Sequence, residues 1–263
     1  MTLIMGIVNV TPDSFSDGGR YLDPDVALAH ARLLREQGAE ILDVGGESTR
    51  PGAERVSPRV EQQRVLPVVE ALASEGSFVS IDTMNAATAV AAVRAGARLV
   101  NDVSGGITDP DMLAAVAETD ADLALGHWRG PSNDMYARAE YADVAREVSV
   151  ELAERVDAAV AAGIDRSRLV VDPGIGFGKR GAQNWQTLRA LPAIAELGLR
   201  VLVGTSRKRF LTELIGDDAD LARRDLATAV TSALSARSGA WAVRVHDVPT
   251  TRDALAVARA WEA

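Results

Sequence analysis

Eight short apolar runs recur along the chain, and each stops on a polar residue able to do chemistry. Leu3–Val8 stops at Asn9, Ile41–Gly46 at Glu47 and Val79–Ile81 at Asp82. Leu99–Val100 stops at Asn101, Leu123–Gly126 at His127 and Leu169–Val171 at Asp172. Val201–Gly204 stops at Thr205, with Ser206 and Lys208 just beyond, and Ala242–Val243 stops at Arg244 and His246. The runs are β-rich and too short for helices, and a helix-like segment follows each one. Such alternation predicts an α/β fold with a parallel sheet. The expected helices cover 24–37, 58–75, 85–95, 110–118, 138–162, 184–197, 208–215 with 222–238, and 250–262. Ser57-Pro58 starts one of them, a capping residue followed by Pro at the first helical position, and Pro67 is expected to kink or interrupt it. Gly38, Gly96 and Gly163 end helix-like runs as left-handed caps would.

Eight strands and about eight helices predict a closed (β/α)8 barrel, a TIM barrel, spanning residues 1–263 as a single domain. An open doubly wound sheet fits less well, because the first strand lacks the dinucleotide-binding glycine fingerprint. In a barrel the loops after the strand C-termini form the active face, so the eight polar endings are to be read as one site.

Composition narrows the picture. The chain has 263 residues, 47% of them hydrophobic, enough for a sizeable core, yet no uninterrupted apolar stretch long enough to span a membrane. No charged-then-apolar leader precedes the first run, and the absence of Cys excludes disulfides and thiolate metal sites; a cytoplasmic location is expected. A net charge of −9 argues against nucleic acid as the main partner. The basic residues are almost all Arg, with Lys179 and Lys208 the only lysines. Each follows an expected strand, which marks them as places where a compact ammonium is wanted rather than a planar fork.

The loops differ in chemistry. The first, from Asn9 to Gly19, is long, rich in turn formers, and holds Phe15 with no apolar neighbour, as a lid or a surface loop would. Asn9 offers a neutral oxygen of the kind Mg²⁺ takes alongside substrate phosphate oxygens. The second loop carries Arg50, a cation suited to phosphate, between glycines. Asp82, Asn101 and Asp172 together suit a flat heterocycle that displays amino, ring N–H and carbonyl groups. The run Asp172-Pro-Gly-Ile-Gly-Phe-Gly-Lys179 lacks the spacing of a nucleotide P-loop and reads as a shaped wall bearing Phe177. Loops seven and eight, with Lys208, Arg244 and His246, sit where such barrels often bind phosphate. His127 is open between a structural and a functional reading.

These segments resemble the dihydropteroate synthase family. Met5–Gly19 and Asp43–Gly52 look like its two signatures, and Ile81-Asp-Thr83, Asn101–Gly106, Asp172–Gly178, Ser206-Arg-Lys208 and Arg244-Val-His246 follow in family order. The likeness covers essentially the whole chain, and the Arg- and Ala-rich composition looks actinobacterial. It implies a homodimeric enzyme of folate biosynthesis that joins a 6-hydroxymethyl-7,8-dihydropterin diphosphate to 4-aminobenzoate. Carried over, Asp82, Asn101, Val103, Asp172, Gly204 and Lys208 bind the pterin. Thr49, Arg50, Arg244 and His246 serve the diphosphate, Asn9 the Mg²⁺, and Phe15, Pro51, Phe177 and Lys208 the aminobenzoate. Two positions depart from the family pattern. Arg209 stands after Lys208 where Ser is frequent, and Gly126 stands before His127 where Met is frequent; the latter is expected to enlarge the pterin pocket or admit a water. Two other readings are a corrinoid-dependent methyltransferase domain, which shares the barrel and pterin pocket, and a non-catalytic pterin-binding paralogue. The intact Thr49–Gly52 and Ser206–Lys208 segments argue against the first of these.

Overall fold

The computed structural model describes residues 1–11, 24–48, 55–130, 136–137 and 139–262. Strands β1 (Leu3–Asn9), β2 (Ile41–Gly45), β3 (Val79–Asp82) and β4 (Leu99–Asp102) pair in parallel in chain order. They are followed by β5 (Asp122–Gly126), β6 (Leu169–Asp172), β7 (Arg200–Val203) and β8 (Ala242–Val245). Strand β8 returns to β1, with Met5 beside Arg244, and closes the barrel. The helices are α1 (Pro24–Gln37), α2 (Pro58–Ser74), α3 (Ala86–Arg94), α4 (Met112–Ala117) and α5 (Val144–Ala161), then α6 (Ala182–Arg189), α7 (Leu191–Ala195), α8 (Arg209–Ile215), α9 (Leu221–Arg237) and α10 (Val248–Glu262).

The two-residue period of a strand sorts its side chains. Outward residues such as Val8, Leu42, Val44, Ile81, Val171 and Val203 pack beneath the helices in one continuous core. Inward residues Met5, Ile41, Leu99, Ala124, Val170, Leu202 and Ala242 form a separate apolar plug inside the barrel. Leu3, Phe78 and Trp241 pack against that plug. Fully burying each large aliphatic chain stabilises by roughly 1.5–3 kcal/mol, so the plug makes a rigid floor. Two residues beyond it, β2, β4, β6 and β8 present Asp43, Asn101, Asp172 and Arg244. The barrel thus changes from oil to charge over one strand period.

Most expected boundaries hold within two residues, and three differ informatively. Helix α5 starts at Val144 rather than 138, because the Asp143 side chain accepts from the Arg146 N–H and caps it there. The expected helix 184–197 is two helices broken at Ala190, where Pro192 opens the next one. Pro67 does not interrupt α2; buried Val65, Val68, Val69 and Leu72 hold the helix across it. The glycine caps are as expected, with φ of 112° at Gly38, 108° at Gly96 and 101° at Gly163.

Candidate active site

Arg244, on β8, crosses the barrel mouth. Its Nε donates to Asp43 Oδ2 at 2.6 Å and its Nη2 to Asp82 Oδ2 at 2.7 Å. Asp43 Oδ2 also accepts from Asn101 Nδ2 at 3.1 Å, while Asp43 Oδ1 is buried without a hydrogen-bond partner. Asp82 and Asn101 are neighbours in strand register, as are Gly126 and Asp172. The expected trio therefore shares one mouth, and Asp43 ties two of its surroundings together. Sequence reading gave Asp43 no role; the available signal was a carboxylate in the middle of an apolar strand, two residues beyond inward-facing Ile41.

Burial pushes the Asp82 carboxyl well above the ordinary aspartate value, with Arg244 working the other way. For Asp172 burial raises the value and Lys208 counters it. Burial works against charge on Arg244, but Asp43 and Asp82 outweigh it and the net shift is upward. Burial lowers Lys208 to about 8, opposed chiefly by Asp172. Buried Asp43 and Asp82, with half-buried Asp172, Arg244 and Lys208, form a cluster that is costly to desolvate unless a ligand with matching donors completes it.

Lys208 sits between the mouth and the sixth loop. Its ammonium donates to the Ile175 carbonyl and lies 4.6 Å from the centre of the Phe177 ring. A Cβ added at Gly204 would fall 3.7 Å from Arg244 Cβ and 3.8 Å from Lys208 Nζ, so Gly204 lies where the two cations converge. The preceding residue, Arg207, has φ 57°, a left-handed bend unusual for a side-chain-bearing residue. Paired contacts to Asp225 at 2.7 and 2.8 Å hold that bend from outside. Ser206 Oγ accepts from the His246 N–H at 3.1 Å and lies 2.8 Å from His246 Nδ1. With the hydroxyl proton directed to Nδ1, the His246 ring carries its own proton on Nε2.

Asn9 ends β1 beside Gly45, on the same rim. Val103 follows β4, with its backbone against Gly126. A Cβ at Gly126 would lie 2.4 Å from the Val103 carbonyl oxygen, so the fourth loop's backbone fills the space that a side chain there would take. Phe15, Thr49, Arg50 and Pro51 lie outside the described residues. The described flank of the second loop is clamped by a network that sequence reading missed. Arg55 bonds Glu47 at 3.2 Å and Asn85 at 2.9 Å, and Asn85 donates to buried Glu61 at 2.7 Å.

Lys208→Arg is expected to lower kcat/KM by about tenfold or more, the worth of one charge-assisted hydrogen bond. A Cβ at Gly176 would sit 2.9 Å from Lys208 Cδ, so the channel is too narrow for a guanidinium to adopt the same line. Steady-state rates within twofold of wild type would contradict this geometry.

A barrel mouth with acidic and amide groups flanked by cations suits a ligand that joins a heterocycle to an anion. The model of the family described as "Pterin binding enzyme" matches residues 5–246. The chain is 53% identical to a dihydropteroate synthase of Mycobacterium leprae over 98% of this chain and 93% of that protein. It is similar to the Xanthomonas albilineans dihydropteroate synthase solved with 4-aminobenzoic acid, with a TM-score of 0.92, 46% identity, and coverage of 100% of this chain and 93% of that one. The same protein solved with 7,8-dihydropteroate aligns with a TM-score of 0.89 and 43% identity, covering 100% and 94% of the two chains. The chain belongs to the dihydropteroate synthase family of pterin-binding enzymes, transferases of folate biosynthesis.

Proposed function

We propose that the barrel mouth joins 6-hydroxymethyl-7,8-dihydropterin diphosphate to 4-aminobenzoate and releases 7,8-dihydropteroate and diphosphate. The observation that carries this reading is the layout of charge. Asp82 and Asn101 stand on the neighbouring strand ends of β3 and β4 and Asp172 ends β6, while Arg244 lies on β8 with His246 just beyond it and Lys208 lies in the seventh loop. The acidic and amide groups fit the pterin's donors and acceptors. Arg244 and His246 fit the diphosphate, with Thr49 and Arg50 as its further partners. Phe177, with Phe15 and Pro51, walls the aminobenzoate, and Lys208 touches both substrates' territory.

As the carbon–oxygen bond to diphosphate lengthens, negative charge grows on the leaving group and positive charge on the pterin methylene. Arg244, already fixed by Asp43 and Asp82, stabilises the former without reorganising, and Asp82 and Asp172 stabilise the latter. The aminobenzoate amine attacks as a neutral nucleophile, so no strong base is needed. Among the described residues no group of three His, Asp or Glu could hold a metal by itself. The donor set fits Mg²⁺ carried in by the diphosphate, with Asn9 adding a neutral oxygen. When bound, the ion draws charge onto the leaving diphosphate.

The test is a coupled diphosphate-release assay with the pterin diphosphate, with and without 4-aminobenzoate and Mg²⁺. Release that requires all three supports the reading. Release without aminobenzoate, or none at all, overturns it.

We further infer a homodimer. Leu226, Val230 and Leu234 form an exposed stripe at four-residue spacing on α9, and Val257 and Trp261 do the same on α10. Neighbouring helices with exposed apolar stripes suit a second copy of the chain. Val230→Glu is expected to halve the mass seen by sedimentation velocity; an unchanged mass would move the interface elsewhere. No helix among the described residues is long and apolar enough to cross a membrane.

A further inference from the structure

The structure holds a second buried lysine that the chemistry above leaves unused. Lys179 is 1% exposed and is the bulkiest of the fully buried side chains among the described residues. Its Nζ lies 2.9 Å from His127 Nδ1, 3.0 Å from the Gly174 carbonyl oxygen and 3.2 Å from the Phe177 carbonyl oxygen. Burial lowers the Lys179 pKa to about 7, opposed chiefly by Asp172; in its ammonium form the group has three protons, and these three acceptors use them all. His127 Nδ1 must then supply a lone pair, which puts the ring proton on Nε2. That nitrogen is 2.9 Å from Glu151 Oε2. Glu151 is gripped in turn by the Arg129 guanidinium, which also bonds Glu147 at 2.7 Å and lies 3.7 Å over the Tyr141 ring. Glu151 is about a third exposed and opens on an outer crevice of about 870 Å³, so its charge stays hydrated while His127 and Lys179 are sealed.

The far end of this chain of contacts is the sixth loop. That loop has no regular structure, and its glycines 174, 176 and 178 take φ of 64°, 83° and 58°. Backbone groups in such a segment need partners from side chains. Gly174 O and Phe177 O go to Lys179, Gly178 O accepts from Tyr141 at 3.0 Å, and Gly176 N donates to Asn184 at 2.7 Å. The loop so held presents the Ile175 carbonyl and the Phe177 ring to Lys208.

We propose that Glu151, His127 and Lys179 form a positioning relay, running from an outer crevice to a buried lysine, that sets the sixth loop and thereby the aminobenzoate side of the site. The inference rests on the proposed synthase reading. The three are positioning residues, acting through Phe177 and Ile175 rather than on substrate. The compact tripod also explains a Lys here in an Arg-rich chain, since a planar guanidinium cannot direct three donors from one atom. Asp172 has its backbone on β6, and its Oδ1 accepts from the Gly174 N–H at 2.7 Å, so the loop touches the pterin side at one bond while the Ile175 carbonyl and the Phe177 ring rest on the loop alone; the aminobenzoate side is therefore the more sensitive of the two.

Steady-state kinetics on full-length variants tests the relay. Lys179→Met and Lys179→Arg are expected to raise KM for 4-aminobenzoate by about tenfold, the loss of one charge-assisted hydrogen bond, with KM for the pterin diphosphate changed less than about threefold. His127→Asn keeps an acceptor near the Nδ1 position and is expected to be milder than His127→Leu. The His127 pair decides the matter even where Lys179→Met does not fold. Equal shifts in both KM values, or His127→Leu no worse than His127→Asn, would overturn the relay. A wild-type enzyme that fails to release diphosphate would instead overturn the functional reading on which it rests.

Discussion

Asp43→Asn is expected to lower kcat/KM by about 100-fold or more, although Asp43 was assigned to no substrate. Its carboxylate is fully buried and takes bonds from Arg244 and Asn101 on the same oxygen. Removing the charge leaves Arg244 desolvated with one carboxylate partner fewer. Breaking a buried pair in this way typically costs about 3–5 kcal/mol, and each 1.4 kcal/mol is about tenfold. Part of that loss falls on folding and part on the site. The site's share should be visible as a fall in kcat as well as a rise in KM for the pterin diphosphate, because Arg244 would swing away from the leaving group's position. Asn keeps the shape, so melting temperature should fall less than in Asp43→Ala. Turnover within twofold of wild type, with a folded protein, would mean that Asp82 alone suffices to aim Arg244.

The same residue shows what the sequence could and could not tell. Polar residues that terminate apolar runs were legible, because a β-strand's rim position is readable from where its hydrophobic run stops. Asn9, Asp82, Asn101, Asp172 and Arg244 all follow that rule, and the structure brings Asp82, Asn101 and Arg244 into one network through Asp43. Asp43 lies inside its run, so the rule passes over it. The family resemblance compressed further information that spacing alone lacks, since no local pattern says that strands three and eight face one another across a barrel. Helix residues that reach into the site were the hardest to see. Glu61 on α2 and Glu151 on α5 end no apolar run and belong to none of the motifs, yet one is fully buried and the other grips His127. His127 itself was left open between two readings, and the structure resolves the form of the ambiguity. Both ring nitrogens are engaged with buried or clamped partners, and burial lowers its pKa to about 4, with Lys179 adding to the effect.

Gly126→Ala is expected to destabilise the fold by about 3 kcal/mol and to abolish tight pterin binding. The added Cβ would lie 2.4 Å from the Val103 carbonyl oxygen and 2.6 Å from its carbonyl carbon and Cα. All three are backbone atoms, so no side chain can rotate to relieve the overlap. Gly126 does not have a left-handed φ, which makes the clash itself the cause rather than backbone strain. Either the fourth loop yields, carrying Val103 and the end of β4 with Asn101, or β5 yields, carrying its register partner Asp172. Both routes run through groups proposed above to hold the pterin. For a chain of this size the melting temperature should fall by roughly 6–12 °C. Gly163→Ala is the control: its φ is 101° but the nearest atom to a new Cβ is 3.8 Å away. That variant carries the strain of a left-handed residue without an overlap and should cost only about 1–2 kcal/mol, with pterin binding intact. If both variants lose equal stability and both keep pterin affinity, the close approach of β5 to the fourth loop does not shape the site.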